Sequence, residues 1–372
     1  MPSKTALSKL KHDVGQLLTM GFDGTEMTPE LTALVTQMQP GGVILFAQNI
    51  ITARQTHELL GACQELVSTP LFTCVDMEGG LVDRLKKAIA PAPSPASVFA
   101  TGDRKLFRKH GKLIGDECRA VGFNVDFAPA SDLAFEASKS VMSSRAVSKD
   151  PRQTISYVKE FLKGLGDAGI LGCGKHFPGL GEGNLDSHHD LPSIEKPWKD
   201  LWAEDLLPYR ELKRVYPFVM VSHAAYPSVT KEKTSASLSK KWITDILRKR
   251  IGYRGLVVSD DLEMGGVLSA APIEQASVET IRAGGDIFLI CHKAEYVTRS
   301  YEAVVKEAEQ DRKFAARVSE SAKRIAAFKR RMLGRRKKVT APTQEKIDGL
   351  ARQLWEFSEQ VRMGTLAREE GA

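Results

Sequence analysis

The sequence predicts an α/β protein built as a (β/α)8 TIM-type barrel, a single catalytic domain with a C-terminal helical extension. Three observations carry that expectation. Short apolar runs recur along the chain between turn signals and helix-like segments, and there are eight of them: 17–24, 41–48, 71–78, 124–131, 170–177, 217–224, 255–262 and 286–293. The runs are near-continuously hydrophobic, as in GGVILFAQ and GLVVSDDL, which is the pattern of parallel strands covered on both faces. Most of them end on a residue that does not suit a core: Asp23, Asp76, Lys175–His176, His223, Asp260–Asp261 and His292. In a barrel all these ends meet on one rim, where active sites sit. A doubly wound open sheet would gather ligands at one or two strand ends, and no G-x-G-x-x-G turn follows the first run.

The elements follow in order. Between the runs lie amphipathic segments such as TISYVKEFLKGLGDAG (154–169), with an apolar stripe and a glycine stop. Residues 296–333 read as one or two charged helices, the last able to close the barrel. A basic run follows, then a helix-like segment with Ile347, Leu350, Leu354, Trp355 and Val361 as its apolar positions. The expected division is a catalytic domain over 1–335 and a basic linker with helical extension over 336–372, packed on the body or on a second copy.

Composition narrows the class. An apolar content of 42% with 27% charged residues is that of a soluble globular protein. No stretch approaches the roughly 20 apolar residues of a membrane span, and the N-terminus lacks a signal-peptide pattern, so a cytoplasmic location is expected. Five cysteines with no CxxC pair read as reduced core residues. The net charge of +7 comes largely from RKRIGYR (248–254) and KRRMLGRRKK (329–338). With no nucleic-acid module beside them, they read as a solvated face and a linker, and no nucleic-acid or membrane partner is expected.

The chemistry concentrates in KHFPGLGEGNLDSHHDLP (175–192), which holds three of the eight histidines and three acids. Asp186 and His188 are two residues apart, so in extended backbone both side chains project to one side. The carboxylate can then hold one tautomer of the imidazole, a pair suited to acid/base work near neutral pH. His189 reads as a structural hydrogen-bonding residue. Asp260, leaving a buried strand in VVSDDLEMGG, reads as a nucleophile or metal ligand. Equally, Ser259, Asp260 or Asp261 could cap a helix beginning near Leu262, with Glu263 in its first turn. A zinc or other transition-metal site from His188, His189, Asp186, Asp190 and His176 is the competing reading. Against it stand the absence of HxH or HExxH spacing at the strand ends and the cationic Lys175 beside His176.

KHFPGLGEGNLDSH resembles the signature of glycoside hydrolase family 3, in its bacterial β-N-acetylglucosaminidase (β-hexosaminidase) branch. That signature is Lys-His-(Phe/Ile)-Pro-Gly-(His/Leu)-Gly, four free positions, then Asp-(Ser/Thr)-His, with Leu180 the less usual choice here. GGVILFAQNI, VDMEGGLVDRL, VMSSRAV, MVSHAAYPSVT and GLVVSDDLEMGGV are similar to further family segments in the same order, over roughly 15–335. Gln48 and Leu81 stand where the family commonly has Arg, removing two cations from the pocket side of the pattern.

The resemblance implies a retaining exo-glycosidase needing no cofactor and no metal. Its substrates would be GlcNAc-containing muropeptides of cell-wall recycling. Asp260 would attack the anomeric carbon and form a covalent glycosyl-enzyme. His188, oriented by Asp186, would protonate the leaving oxygen and later activate water, the loop closing over bound sugar. Asp76, Arg84, Arg145, Lys175 and His176 would hold the GlcNAc hydroxyls. Two alternatives use the same fold, a β-glucosidase and a phosphorylase, because an imidazole acid does not repel phosphate. Outside that fold chemistry stand a metal-dependent hydrolase and a non-catalytic sugar-binding protein.

Overall fold

The computed structural model describes residues 4–182, 191–334 and 339–370. Eight strands form one parallel sheet: β1 (Leu18–Met20), β2 (Gly42–Ile44), β3 (Phe72–Val75), β4 (Val125–Asp126), β5 (Cys173–Phe177), β6 (Phe218–Val221), β7 (Leu256–Asp261) and β8 (Ile287–Ile290). Their order is β4-β3-β2-β1-β8-β7-β6-β5. Sequential strands are therefore neighbours all the way round, and β1 closes on β8 in register Leu18–Phe288. Between β4 and β5 the ladder thins to two isolated parallel bridges, Val125–Leu171 and Ala130–Lys175. Each of the eight apolar runs supplies one strand, shorter than the run that contains it, so the sheet is the TIM-type barrel expected.

The barrel is filled as a core, not as a pore. Val43, Val75, Val219, Val257 and Phe288 are fully buried, consistent with strands covered by helices outside and side chains inside. At the end where the strands start, Phe72, Phe127 and Phe218 meet edge to face at ring distances of 5.3 and 6.2 Å. Helix Arg312–Met332 closes that end by placing Phe328 5.4 Å from Phe218 and 6.1 Å from Phe72. Such pairs add about 0.5–1.5 kcal/mol beyond the area they bury. Lys329 lies beside them, 4% exposed, with its ammonium over the Phe72 ring. Burial pushes its pKa down to about 7.

The basic runs are partly consumed by this packing. Asp286, fully buried ahead of β8, forms ion pairs with Arg248, Arg317 and Arg324 and accepts the Val257 amide at 3.0 Å. Arg250 lies over Trp198 and Trp202, each at 4.6 Å. All five cysteines are buried and unpaired. No helix among the described residues is long and apolar enough to cross a membrane.

Helix Gln344–Glu370 packs on the body, against helices Arg104–Ala120 and Pro95–Ala100. It buries Ile347, Leu350, Leu354, Phe357 and Val361. The 3-4-3-4 spacing of these residues keeps them on one stripe. Trp355 was expected on that face but is 64% exposed, because it lies one residue, roughly 100° of helix, past Leu354. Phe357 takes the place, its ring 5.8 Å from that of His110.

Removing the carboxylate that three guanidiniums share leaves buried positive charge unbalanced. Asp286→Ala is therefore expected to lower unfolding stability by about 3–5 kcal/mol, read as the shift in a urea transition.

Candidate active site

Strand ends from all round the barrel converge on a cavity of about 200 Å³, lined by Phe46, Asp76, Arg84, Arg145, Lys175, His176, Asp260, Asp261 and His292 among others. All five residues expected to hold sugar, and Asp260, thus face one space. Asp186 and His188, with His189 and Asp190, lie outside the described residues. Asp23 ends its run exposed and is absent from the lining. His223 is fully buried instead, its Nδ1 2.8 Å from Ser237 Oγ and its Nε2 donating to the Asp261 carbonyl at 2.8 Å. Burial lowers its pKa, and the ring braces the backbone beside Asp260.

A residue that sequence reasoning missed organises the cationic wall. Glu78 is 1% exposed and meets Arg145 in a two-pronged pair at 2.8 and 2.8 Å, while Lys175 Nζ lies 2.7 Å from its carboxylate. Lys175 also donates to Asp76 at 2.8 Å. Burial opposes charge on Glu78, but Arg145 and Lys175 outweigh it and hold the carboxyl well below the usual range. Burial likewise opposes charge on Lys175 and Arg145, and the neighbouring carboxylates keep both protonated. In VDMEGG the acid precedes two glycines and reads as an ordinary turn residue. That segment forms the hairpin Met77–Gly79 and Val82–Asp83, which turns at Gly79 (φ 89°) and Gly80 (φ 61°). A Cβ on Gly79 would stand 2.2 Å from the Pro93 carbonyl oxygen, so no other residue fits beneath that loop.

Asp132 was also missed. It is 1% exposed, and its Oδ2 lies 2.7 Å from His176 Nδ1 while its Oδ1 accepts the Leu180 amide at 2.7 Å. His176 Nε2 stands 3.4 Å from Arg145 Nη2, so both ring nitrogens already have protein neighbours, one of them a cation. That arrangement disfavours His176 as a metal ligand.

The two carboxyls at the end of β7 divide the roles that sequence left open. Asp260 lines the cavity and accepts the Asp261 amide at 2.9 Å. Asp261 accepts the Glu263 amide at 3.0 Å and stands 3.5 Å from His292 Nε2. No helix begins at Leu262: the strand runs to Asp261 and only the single turn Gly265–Leu268 follows. Glu263 reaches across to the His292 and Lys293 amides at 2.6 and 3.0 Å, ahead of helix Ala294–Gln310. Burial opposes charge on Asp260, yet His176, His223, the Asp261 amide and Lys175 draw its pKa below the ordinary value. Burial dominates at Asp261, helped by Glu263 and Asp260, and raises it to about 7. Leu81 and Gln48 are both exposed and neither lines the cavity, so the two departures from the family pattern do not thin its charged wall.

Two outcomes follow. Glu78→Gln leaves Arg145 and Lys175 without their buried counter-charge, and kcat/KM should fall by roughly 30- to 1000-fold in steady-state assays, about 2–4 kcal/mol. For Asp261 the folded pKa exceeds the unfolded value of about 3.9. The stability it contributes is therefore full below that value and lost as pH rises through about 7. Asp261→Asn keeps the acceptor and removes the ionisation, so its Tm relative to the parent should rise between pH 5 and pH 8.

With this geometry in hand, comparison with known proteins is direct. Residues 9–328 match the glycosyl hydrolase family 3 N terminal domain. A β-hexosaminidase of Alkalilimnicola ehrlichii is 34% identical over 287 residues, 75% of this chain and 82% of that protein. One from Xanthomonas campestris pv. campestris is 35% identical over 295 residues, 77% and 88% of the two chains. Among solved structures, a glycoside hydrolase family 3 β-N-acetylglucosaminidase from Paenibacillus sp. str. FPU-7 superposes with a TM-score of 0.88 at 31% identity, covering 94% of this chain and 68% of its own. This chain belongs to glycosyl hydrolase family 3.

Proposed function

We propose that this glycoside hydrolase is a retaining exo-β-N-acetylglucosaminidase. Its proposed substrates are peptidoglycan fragments, GlcNAc-1,6-anhydro-MurNAc with or without peptide, from which it releases the non-reducing GlcNAc. The observation that carries the reading is the placement of Asp260 in the same cavity as Asp76, Arg84, Arg145, Lys175 and His176. A carboxylate kept ionised among groups that hydrogen-bond hydroxyls is what attack on an anomeric carbon needs. The cavity, at about 200 Å³, is smaller than the 300–1,000 Å³ of pockets for drug-sized ligands, which suits one terminal ring and hence exo action. The names of the relatives, β-hexosaminidase and β-N-acetylglucosaminidase, agree with a 2-acetamido sugar.

In this reading an Asp260 oxygen bonds to the anomeric carbon as the glycosidic C–O bond breaks, and His188, paired with Asp186, gives its proton to the leaving oxygen. Water then attacks the same carbon, loses a proton to His188 and frees Asp260. Two inversions give net retention. An imidazole replaces the usual second carboxyl, and the balance of protons is the same. Lys175 and Arg145, held charged by Glu78 and Asp76, supply donors fixed before substrate arrives, so little reorganisation accompanies the reaction.

The test is labelling with a fluorinated GlcNAc mechanism-based inactivator followed by peptide mass spectrometry. The label should sit on the peptide bearing Asp260, and p-nitrophenyl β-GlcNAc should be turned over faster than the β-glucoside, with no dependence on phosphate and no loss in EDTA. A label on another peptide, or equal glucoside turnover, refutes the assignment. Phosphate dependence would make the enzyme a phosphorylase, and loss of activity in EDTA a metal-dependent hydrolase.

A further inference from the structure

We infer that Asp132 is a positioning residue that couples the sugar-facing imidazole to the root of the acid/base segment. One buried carboxylate takes three donors. Its Oδ2 accepts the backbone amide of His176 at 3.1 Å and lies 2.7 Å from the Nδ1 of the same residue. Its Oδ1 accepts the amide of Leu180 at 2.7 Å. Asp132 is 1% exposed, so no water competes for these bonds, and each is of the charge-assisted kind that is stronger than a neutral pair.

Two consequences follow from donor and acceptor chemistry alone. A carboxylate oxygen accepts, so His176 Nδ1 carries the proton. The other nitrogen, Nε2, faces the donor Arg145 Nη2 at 3.4 Å and is the acceptor of the ring. His176 thus turns its lone pair toward the Arg145 guanidinium in the cavity wall. From Leu180 the chain leads in sequence toward Asp186 and His188. The carboxylate that sets the His176 tautomer therefore also fixes the backbone from which the proposed acid/base pair departs. The backbone delivers Asp132 to this place: Ala130 bridges to Lys175, and the Ser131 amide donates to the Lys175 carbonyl. Tyr226 Oη, donating to the Gly179 carbonyl at 2.6 Å, holds the same turn.

The inference rests on the acid/base role proposed above for His188, and the experiment separates the two. Asp132→Asn, His176→Ala and His188→Ala are assayed on aryl β-GlcNAc substrates whose phenol leaving groups span several pKa units. Asp132→Asn retains the shape but turns one acceptor into a donor. Its kcat/KM should fall by roughly 100-fold, the scale of a misplaced reactive group, and the loss should grow as the leaving group becomes poorer. His176→Ala removes the ring but leaves the His176 and Leu180 amides on Asp132, so it should lose activity evenly across the series. If His188→Ala loses activity evenly too, the acid/base assignment fails. If His188→Ala shows leaving-group dependence while Asp132→Asn loses evenly, or loses nothing, the coupling through Asp132 is overturned by itself. Should the Asn variant not fold, ¹⁵N NMR of the parent decides: Nε2 unprotonated at neutral pH supports the tautomer assigned here, and a proton on Nε2 overturns it.

Discussion

The carboxylate of Glu78 is the constraint on which the rest of the site depends. A charge that is 1% exposed is expensive unless cations meet it with good geometry. Here a two-pronged Arg145 and the ammonium of Lys175 do so. Those partners come from different parts of the barrel: Glu78 from the hairpin after β3, Arg145 from the segment after β4, Lys175 from β5. This is the side of the barrel where β4 spans only two residues and the β4–β5 ladder reduces to isolated bridges. The side-chain network lies across the place where the backbone supplies least, so the cations facing the cavity also tie its wall together.

Much of the architecture was legible in the chain because its signal is local. A strand covered on both faces must be apolar throughout, and eight such runs bounded by turns admit few arrangements. The polar residues that end them are visible for the same reason: each contradicts its own run. Glu78 and Asp132 were not legible, because an acid between Met77 and Gly79 reads as an ordinary turn residue until its cationic partners, 67 and 97 residues away, are brought beside it. The helix expected at Leu262 failed on competition. Asp261 and Glu263 carry helix-start chemistry, but the amides they satisfy include those of His292 and Lys293, from the next strand end. Asp186 and His188, the pair that the sequence marks most plainly, lie outside the described residues, so the reading of that loop stands on the motif.

The two ends of the barrel use buried charge for different purposes. At the end where the strands begin, Asp286 gathers Arg248, Arg317 and Arg324 and joins β7, β8 and the closing helix. Glu320 also pairs with Arg317 and Arg324, so three cations share two acids there. At the other end acids and cations, bonded to one another, line one cavity. Conservation at the lower end of a barrel serves stability and at the upper end chemistry, and the ion pairs here divide along the same line.

Asp260 and Asp261 show how fine that control is. They are adjacent in sequence and both partly buried, yet their acidities move in opposite directions. Asp260 lines the cavity with Lys175 and takes a backbone amide, so ionisation is favoured despite desolvation. Asp261 has Glu263 and Asp260 as its charged neighbours and is driven toward the neutral form. Two vicinal carboxylates charged together would repel each other and raise the pKa of both. Below about pH 7 Asp261 is mostly neutral, which weakens that repulsion, and unequal acidities within a carboxyl pair are the usual mark of distinct chemical tasks. The environment, not the residue type, sets the two acidities apart.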